Sequence, residues 1–257
     1  MHIDLANIFN LTQLWKKYGA SELQQKTSLT NTYSPTIHIN NGWPHRCWIE
    51  SDACSDDHAW LTKLEKSTIL PVWPIFDGNK INPRITNQNP LETHLINYNW
   101  QCQLEQTAMY LPREKFSSSV IEQSQPHFIV KRINKIAEIH LWVTIASKAF
   151  GYKIELSVIE NLIDDPNMQF YLAYYNDQAV ATGLLYKTEN IIGVHQVGVS
   201  TEFQGKGIAR LLMLELIYLC KTWGASSIVL QASQAGKPLY DKLGFKTQFL
   251  IRSYIKE

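Results

Sequence analysis

The chain reads as a mixed α/β protein (α+β in the order of its elements), with a clearly patterned C-terminal part behind a smaller α/β segment. Three observations predict this. From His127 onwards, stretches that alternate apolar and polar residues are interleaved with stretches whose apolar residues recur at helical spacing. An apolar stretch ending Val197-Gly198-Val199 leads into Gln204-Gly205-Lys206-Gly207-Ile208-Ala209 and then into an amphipathic helix. Between the halves lies a polar stretch, 113–126, with Ser117-Ser118-Ser119 and Gln123-Ser124-Gln125, which reads as a linker. Six of the eight tryptophans precede residue 126. Composition therefore changes across the linker, and the expected domains are 1–125 and 126–257.

In the first segment, Leu5, Ile8, Phe9, Leu11, Leu14 and Trp15 have helical spacing, so 5–18 is expected to be a helix. Residues 36–40 alternate as a strand, and Cys47-Trp48-Ile49-Glu50 reads as a second one after Gly42-Trp43-Pro44. Asp56 and Asp57 suit the positive end of a helix reaching about Lys66. The apolar run 70–76 contains Pro71 and Pro74, which restricts it to a sheet edge. Residues 82–90 read as a loop and 100–111 as a long strand.

In the second segment, 127–132 alternates as a strand, and Ile136, Ile139, Val143 and Ala146 mark a helix over 133–150, ended by Gly151. A shorter helix is expected over 155–163, stopped by Asp164-Asp165-Pro166. Strands over 169–175 and 179–187 are joined at Asn176-Asp177-Gln178 as a hairpin, and 191–199 is a further strand. The spacing of Ile208, Leu212, Leu216, Leu219 and Trp223 predicts a helix over 204–223, with Gly224 just past its end. A short apolar strand at 228–230, a brief helix at 238–243 and a strand pair over 245–255 complete the pattern.

Bulk properties exclude several classes. A chain of 257 residues with 45% hydrophobic and 18% charged residues builds a substantial core. Its formal net charge of +1 gives no electrostatic case for nucleic acid. Residues 1–125 hold 10 Lys/Arg and 12 Asp/Glu, and the remainder holds 14 and 11, so the C-terminal half does not repel an anion. Cys47, Cys54, Cys102 and Cys220 form no CxxC pair and no histidine cluster has ligand spacing, so reduced, mostly buried thiols and no metal are expected. The first residues lack the pattern of a signal peptide, and no apolar run is long enough to span a bilayer. A cytoplasmic location away from membranes is expected. Nothing fixes the oligomeric state.

Two features carry chemistry. Closely spaced glycines where a strand passes into a helix let main-chain amides approach an anion, and the first turn of that helix has unpaired N–H groups and the positive end of the dipole. A diphosphate fits there. Further on, Pro238-Leu239-Tyr240-Asp241-Lys242-Leu243-Gly244-Phe245 supplies a tyrosine able to donate a proton.

With these residues, 127–257 resembles the GNAT superfamily of acyl-CoA-dependent N-acyltransferases. The superfamily's Arg/Gln-x-x-Gly-x-Gly/Ala signature is matched by Gln204, Gly207 and Ala209. A second signature, roughly Asn-x-x-Ala-x-x-Leu-Tyr-x-x-Leu-Gly-Phe, is matched at Leu239, Tyr240, Leu243, Gly244 and Phe245, with Ser233 replacing its Asn and Gly236 its Ala. The resemblance implies a central mixed sheet in which two parallel strands, those ending near Val199 and Leu230, splay apart. It implies that acetyl-CoA is the co-substrate. Pantetheine would pair with the main chain of Val197, Gly198 and Val199, and the diphosphate would lie on the amides of Gly205, Lys206, Gly207, Ile208 and Ala209. Ser233 belongs to the same cofactor set. Tyr240 would protonate the leaving thiolate, and a primary amine of a small molecule or peptide would attack directly. A non-catalytic acyl-CoA-binding or sensing protein is the alternative.

Other residues stay open between a role and a bland reading. His195 alternates with Val197 and Val199, so the three are expected on one face of the strand, where His195 is either a proton relay or a satisfied core residue. Glu189 is either a base or a surface charge, and Lys206 either a phosphate contact or a solvated charge. Trp43-Pro44-His45-Arg46-Cys47-Trp48 is either a stacking site or core aromatics beside a proline. The N-terminal half lacks the glycine signature; it is either a degenerate second copy of the fold or an unrelated domain, and it could cover the acceptor pocket.

Overall fold

The computed structural model describes residues 1–23, 36–50, 58–77, 80–81, 89–116 and 127–256. The expected helix start at Asp56 and Asp57, the linker residues 117–126, loop residues 82–88 and Cys54 lie outside the described residues. The chain gathers into two compact units, one of Met1–Ala108, Gln231–Ala235 and Thr247–Glu257, the other of Met109–Leu230 and Gly236–Lys246.

The first unit opens with helix α1 (Ile3–Lys17), whose Asp4 near the start and Lys16 and Lys17 near the end suit the helix dipole. Strands β1 (Ser21–Glu22), β2 (Ile37–Ile39) and β3 (Cys47–Ile49) form an antiparallel sheet. A 3-10 turn, Ala59–Lys63, stands where a longer α-helix was expected. Then come β4 (Leu70–Val72), the hairpin of β5 (Phe76–Asp77) and β6 (Lys80–Ile81), α2 (Pro90–Asn97) and β7 (Trp100–Pro112). Helix α2 was not anticipated, yet its signal is plain: the Asn89 side chain accepts from Leu91 N at 3.0 Å, and Pro90 takes the first turn, where no N–H is needed. Ile37, Cys47, Leu70, Leu95 and Trp100 share one apolar cluster.

The tryptophan-rich segment is core. Trp48 is fully buried, edge-on to Trp15 and stacked with His38, while Trp43 packs against Tyr18 at 4.7 Å. The same unit carries an ordered polar chain. Gln231 Nε2 donates to Asn7 Oδ1, Asn7 Nδ2 donates to Gln248 Oε1, and Gln248 Nε2 donates to Asp4 Oδ1. The carboxylate accepts only, so it fixes the direction of every amide behind it.

The second unit contains β8 (Phe128–Ile133), α3 (Ile136–Phe150), α4 (Leu156–Glu160), β9 (Met168–Tyr175), β10 (Gln178–Thr188) and β11 (Ile191–Val199). A 3-10 turn, Thr201–Phe203, leads to α5 (Ile208–Thr222), β12 (Ser227–Ser233), α6 (Lys237–Lys242) and β13 (Lys246–Lys256). The main sheet has eight strands in the order β4-β13-β7-β12-β11-β10-β9-β8. Strands β8 to β11 run antiparallel in sequence, and β12 lies parallel to β11. Strand β4 is at the edge, which accommodates Pro71. Asn176 and Asp177 both adopt positive φ, the tight two-residue turn that a hairpin favours. The expected C-terminal strand pair is a single strand: Phe249, Ile251 and Ser253 are buried at a period of two with no turn between them.

Helices α3 and α5 press on opposite faces of β10 and β11, and glycines mark both contacts. A Cβ on Gly183 would meet Leu216 of α5 at 2.9 Å, and one on Gly198 would meet Ala149 of α3 at 2.9 Å. Cys47 and Cys220 are buried, and burial pushes the Cys47 thiol up to about 12, whereas Cys102 is exposed. Among the described residues no helix is long and apolar enough to cross a membrane.

Candidate functional site

The parallel register of β11 with β12 covers Ile191–Gly193 against Ser227–Val229. The rest of β11, Val194–Val199, lies beyond that register, which is the splay of two parallel strands. On its other side β11 keeps β10 to the end, with Gly198 opposite Thr182 and Val199 opposite Ala181. Ser200 N donates to Val180 O at 2.8 Å. Main-chain groups alternate in direction along a strand, so the amides of Val199 and Val197 point to the edge that β10 does not cover.

The chain then turns through Thr201–Phe203 into the glycine loop. Gly205 and Gly207 have φ of 75° and 80°, a region that side chains disfavour, and a Cβ at either would meet nothing within 4 Å. The loop is therefore open on its outer side. Gln204 Nε2 donates to Val199 O at 3.1 Å and ties the loop back to the end of β11. Gly207 caps α5, whose first main-chain bond runs from Leu211 N to Gly207 O at 3.1 Å. The amides of Ile208, Ala209 and Arg210 precede that bond and form the free first turn. The helix therefore begins at Ile208 and not at the expected Gln204, because two left-handed residues interrupt the helical conformation.

A cleft of ≈ 220 Å³ lies over this turn, lined by Val199, Gln204, Gly205, Gly207, Ile208 and Ala209 from the expected set. It also takes in Phe203, Arg210 and Leu239, which the expected cofactor set did not include. Arg210 had a readable signal, a cation one turn inside a helix that follows a Gly-x-Gly loop. Lys206 Nζ rests over the Phe203 ring at 4.8 Å. Lys206 itself does not line the cleft. An anion held by main-chain N–H groups beside Arg210 fits the cleft, and a coenzyme A diphosphate has that chemistry.

Tyr240 is on α6, next to the cleft residue Leu239, with its ring edge-on to Phe245 at 5.7 Å. Its hydroxyl makes no hydrogen bond among the described residues, and burial pushes its pKa up to about 12. The phenol is thus protonated and has its donor available. Ser233 is the exposed last residue of β12 and belongs to the first compact unit.

One expectation about β11 is corrected. His195 does not share a face with Val197 and Val199. Between the pairs Thr182↔Gly198 and Leu184↔His195, two residues of β11 face one of β10, a β-bulge at Gln196, whose φ is 51°. The extra residue reverses the alternation, so His195 joins Gly198 and Leu184 on the side of α3, while Val199 joins Ala181 on the other. Buried there, His195 has its pKa pushed down to about 3 by desolvation and stays uncharged. Glu189 sits in the hairpin turn between β10 and β11, exposed, with φ 53°. The opposite end of β11, at Val199, is about 26 Å away along the strand.

The parallel register that ends at Gly193, the bulge further along β11 and the cleft over the first turn of α5 follow one another along the chain. The acetyltransferase (GNAT) family model matches residues 103–245, and the chain belongs to that family. It is accordingly an acyltransferase. Among solved structures it is similar over 100% of its length, and 96% of theirs, to a GCN5-related N-acetyltransferase from Kribbella flavida (13% identity, TM-score 0.67). A GCN5-related N-acetyltransferase from Sphaerobacter thermophilus matches 86% of this chain and 76% of its own (13% identity, TM-score 0.62). A functionally unknown conserved protein from Staphylococcus epidermidis matches 88% and 93% (15% identity, TM-score 0.54). At these identities the likeness is one of fold. No curated protein matches the chain by sequence.

Proposed function

We propose that the protein transfers an acetyl group from acetyl-CoA to a primary amine of a small molecule or peptide by direct attack. The observation that carries this reading is the cleft at the start of α5, where free first-turn amides, two left-handed glycines and Arg210 face one open space. These groups would hold the coenzyme A diphosphate. The Val197 and Val199 amides, on the uncovered edge of β11, would receive the pantetheine arm as an added strand does. They also suit a carbonyl oxygen that gains negative charge. Acetyl-CoA supplies the activated acyl group. Tyr240, protonated and with an unused donor, is the proton source for the departing thiolate. We assign His195 a structural role, since it is buried on the α3 side and uncharged. We keep 126–257 as the proposed acetyltransferase domain and 1–125 as the proposed N-terminal α/β domain.

The test is calorimetry with coenzyme A followed by thiol release from acetyl-CoA across a panel of primary amines. Binding together with amine-dependent release is expected. Binding without release for any amine overturns the catalytic reading in favour of an acyl-CoA sensor. No binding overturns both.

A further inference from the structure

We propose that the side-chain carbonyl oxygen of Gln196 binds the acyl acceptor by accepting a hydrogen bond from its amine. This deepens the reading above and rests on the amine as acceptor.

Two unfavourable features coincide in this one residue. Gln196 is the bulged residue of β11 and holds φ at 51°, a region in which a long side chain is strained. Its Oε1 is closed off from solvent and receives no hydrogen bond among the described residues. A sealed acceptor without a donor has lost its hydration with nothing in exchange. Its main chain, by contrast, is well held, because Thr182 Oγ1 donates to Gln196 O at 2.9 Å. Folding alone does not call for this residue. Glycine would relieve the φ strain, and methionine or leucine would fill the same space without an orphaned oxygen. A ligand that brings a donor accounts for the amide.

The chemistry narrows that ligand. Oε1 only accepts, so the partner must carry N–H or O–H. Gln196 immediately precedes Val197, whose amide faces the uncovered edge of β11 where the acyl carbonyl is placed. Around the reacting atoms, a thioester carbonyl and sulfur have no hydrogen to give. The attacking amine has N–H groups to spare. A pantetheine amide, further along the cofactor, is the rival donor and is separated from the amine by kinetics.

The experiment uses the full chain, wild type and Gln196→Leu, with Gln196→Met as the unbranched second variant. Without ligand, the thermal midpoint of at least one variant is expected to equal or exceed that of wild type, since no internal hydrogen bond is removed. A drop of several degrees in both would show that Gln196 supports the fold, and would overturn the proposal. In turnover with the best amine from spermidine, kanamycin, tyramine and lysine methyl ester, KM for the amine is expected to rise roughly tenfold. KM for acetyl-CoA should stay unchanged. A rise in the acetyl-CoA KM alone would assign the contact to pantetheine and overturn the proposal. Independently of turnover, the 15N-labelled Gln196 side-chain amide is followed as each amine is added to the coenzyme A complex. Its signal is expected to shift, and no shift with any of the four overturns the proposal. A shift without acetyl transfer would sustain the contact and sink the acetyltransferase reading instead.

Discussion

Gly198→Ala tests whether β11 is held where the cleft needs it. The added Cβ would stand 2.9 Å from the Ala149 Cβ, 3.3 Å from the Phe150 ring and 3.4 Å from Thr182 Oγ1. Carbon atoms settle at about 3.5–4.0 Å, so the Ala149 contact requires a shift of roughly 0.6 Å or more. Phe150 is the end of a partly exposed side chain and can turn aside. Ala149 has no such freedom, because its Cβ is fixed to the α3 main chain. Overpacking of this kind costs about 1–3 kcal/mol, and the lower chain entropy of unfolded alanine returns about 0.4–1 kcal/mol. The expected net destabilisation is about 1–2 kcal/mol. Because the strand must yield at Gly198, coenzyme A affinity should fall as well. Urea denaturation of wild type, Gly198→Ala, Ala149→Gly and the double variant measures the coupling. Ala149→Gly alone should cost up to about 1 kcal/mol in helix propensity. In the double variant the clash is gone, so it should be more stable than Gly198→Ala. Additive effects, or a Gly198→Ala protein as stable as wild type, would refute the close approach of α3 to the end of β11.

Three further outcomes are expected. Gly207→Glu should abolish coenzyme A binding in calorimetry, because it forces a side chain into a φ of 80° and sets a carboxylate at the anion cleft; retained tight binding would contradict the loop assignment. Tyr240→Phe should lower kcat at least tenfold while leaving the Kd for coenzyme A unchanged, and because burial pushes the phenol up to about 12, wild-type kcat should show no alkaline fall from this group below about pH 11. His195 should make stability acid-sensitive. Its folded pKa of about 3 lies below its unfolded value, so the unfolded chain takes up the proton first, and stability is full above about pH 6.5 and declines towards pH 3 by up to about 1.4 kcal/mol per pH unit. Denaturant titrations of wild type and His195→Phe across that range should converge on a flatter profile for the variant; parallel profiles would count against the burial of His195.

What could be read from the residues was whatever has a local cause. Gly205 and Gly207 announced a left-handed loop because few other residues tolerate it, and Asn176-Asp177 announced a hairpin for the same reason. Pro71 announced an edge because it lacks an N–H. The bulge at Gln196 has no such mark. Glutamine is not a residue that advertises positive φ, and the insertion is visible only when β10 is laid beside β11. Reading His195, Val197 and Val199 by simple alternation therefore put a buried histidine on the wrong face. Helix α2 was legible through Asn89-Pro90 and was missed by assigning the whole of 82–90 to a loop. The extra length of β12, from Ser227 to Ser233 against an expected 228–230, comes from its sheet partners and not from its own composition.

If the cleft holds its cofactor as proposed, the physics of that grip explains why a cofactor side is easier to recognise in a sequence than an acceptor side. A diphosphate gripped by main-chain amides constrains few side chains. It needs glycine at 205 and 207 for the turn, Gln204 to tie the loop to Val199, and a helix behind. Those few positions recur as a motif because the geometry leaves them little choice, while the residues around them are free to vary. The acceptor must be recognised by side chains, and side chains such as Gln196 are shown by burial and by unmet hydrogen bonds, not by spacing in the chain. On the proposal made for Gln196, the choice of amine rests in part on that one orphaned oxygen of β11. Replacing Gln196 by an apolar isostere should then change which amines are used without changing how acetyl-CoA is held.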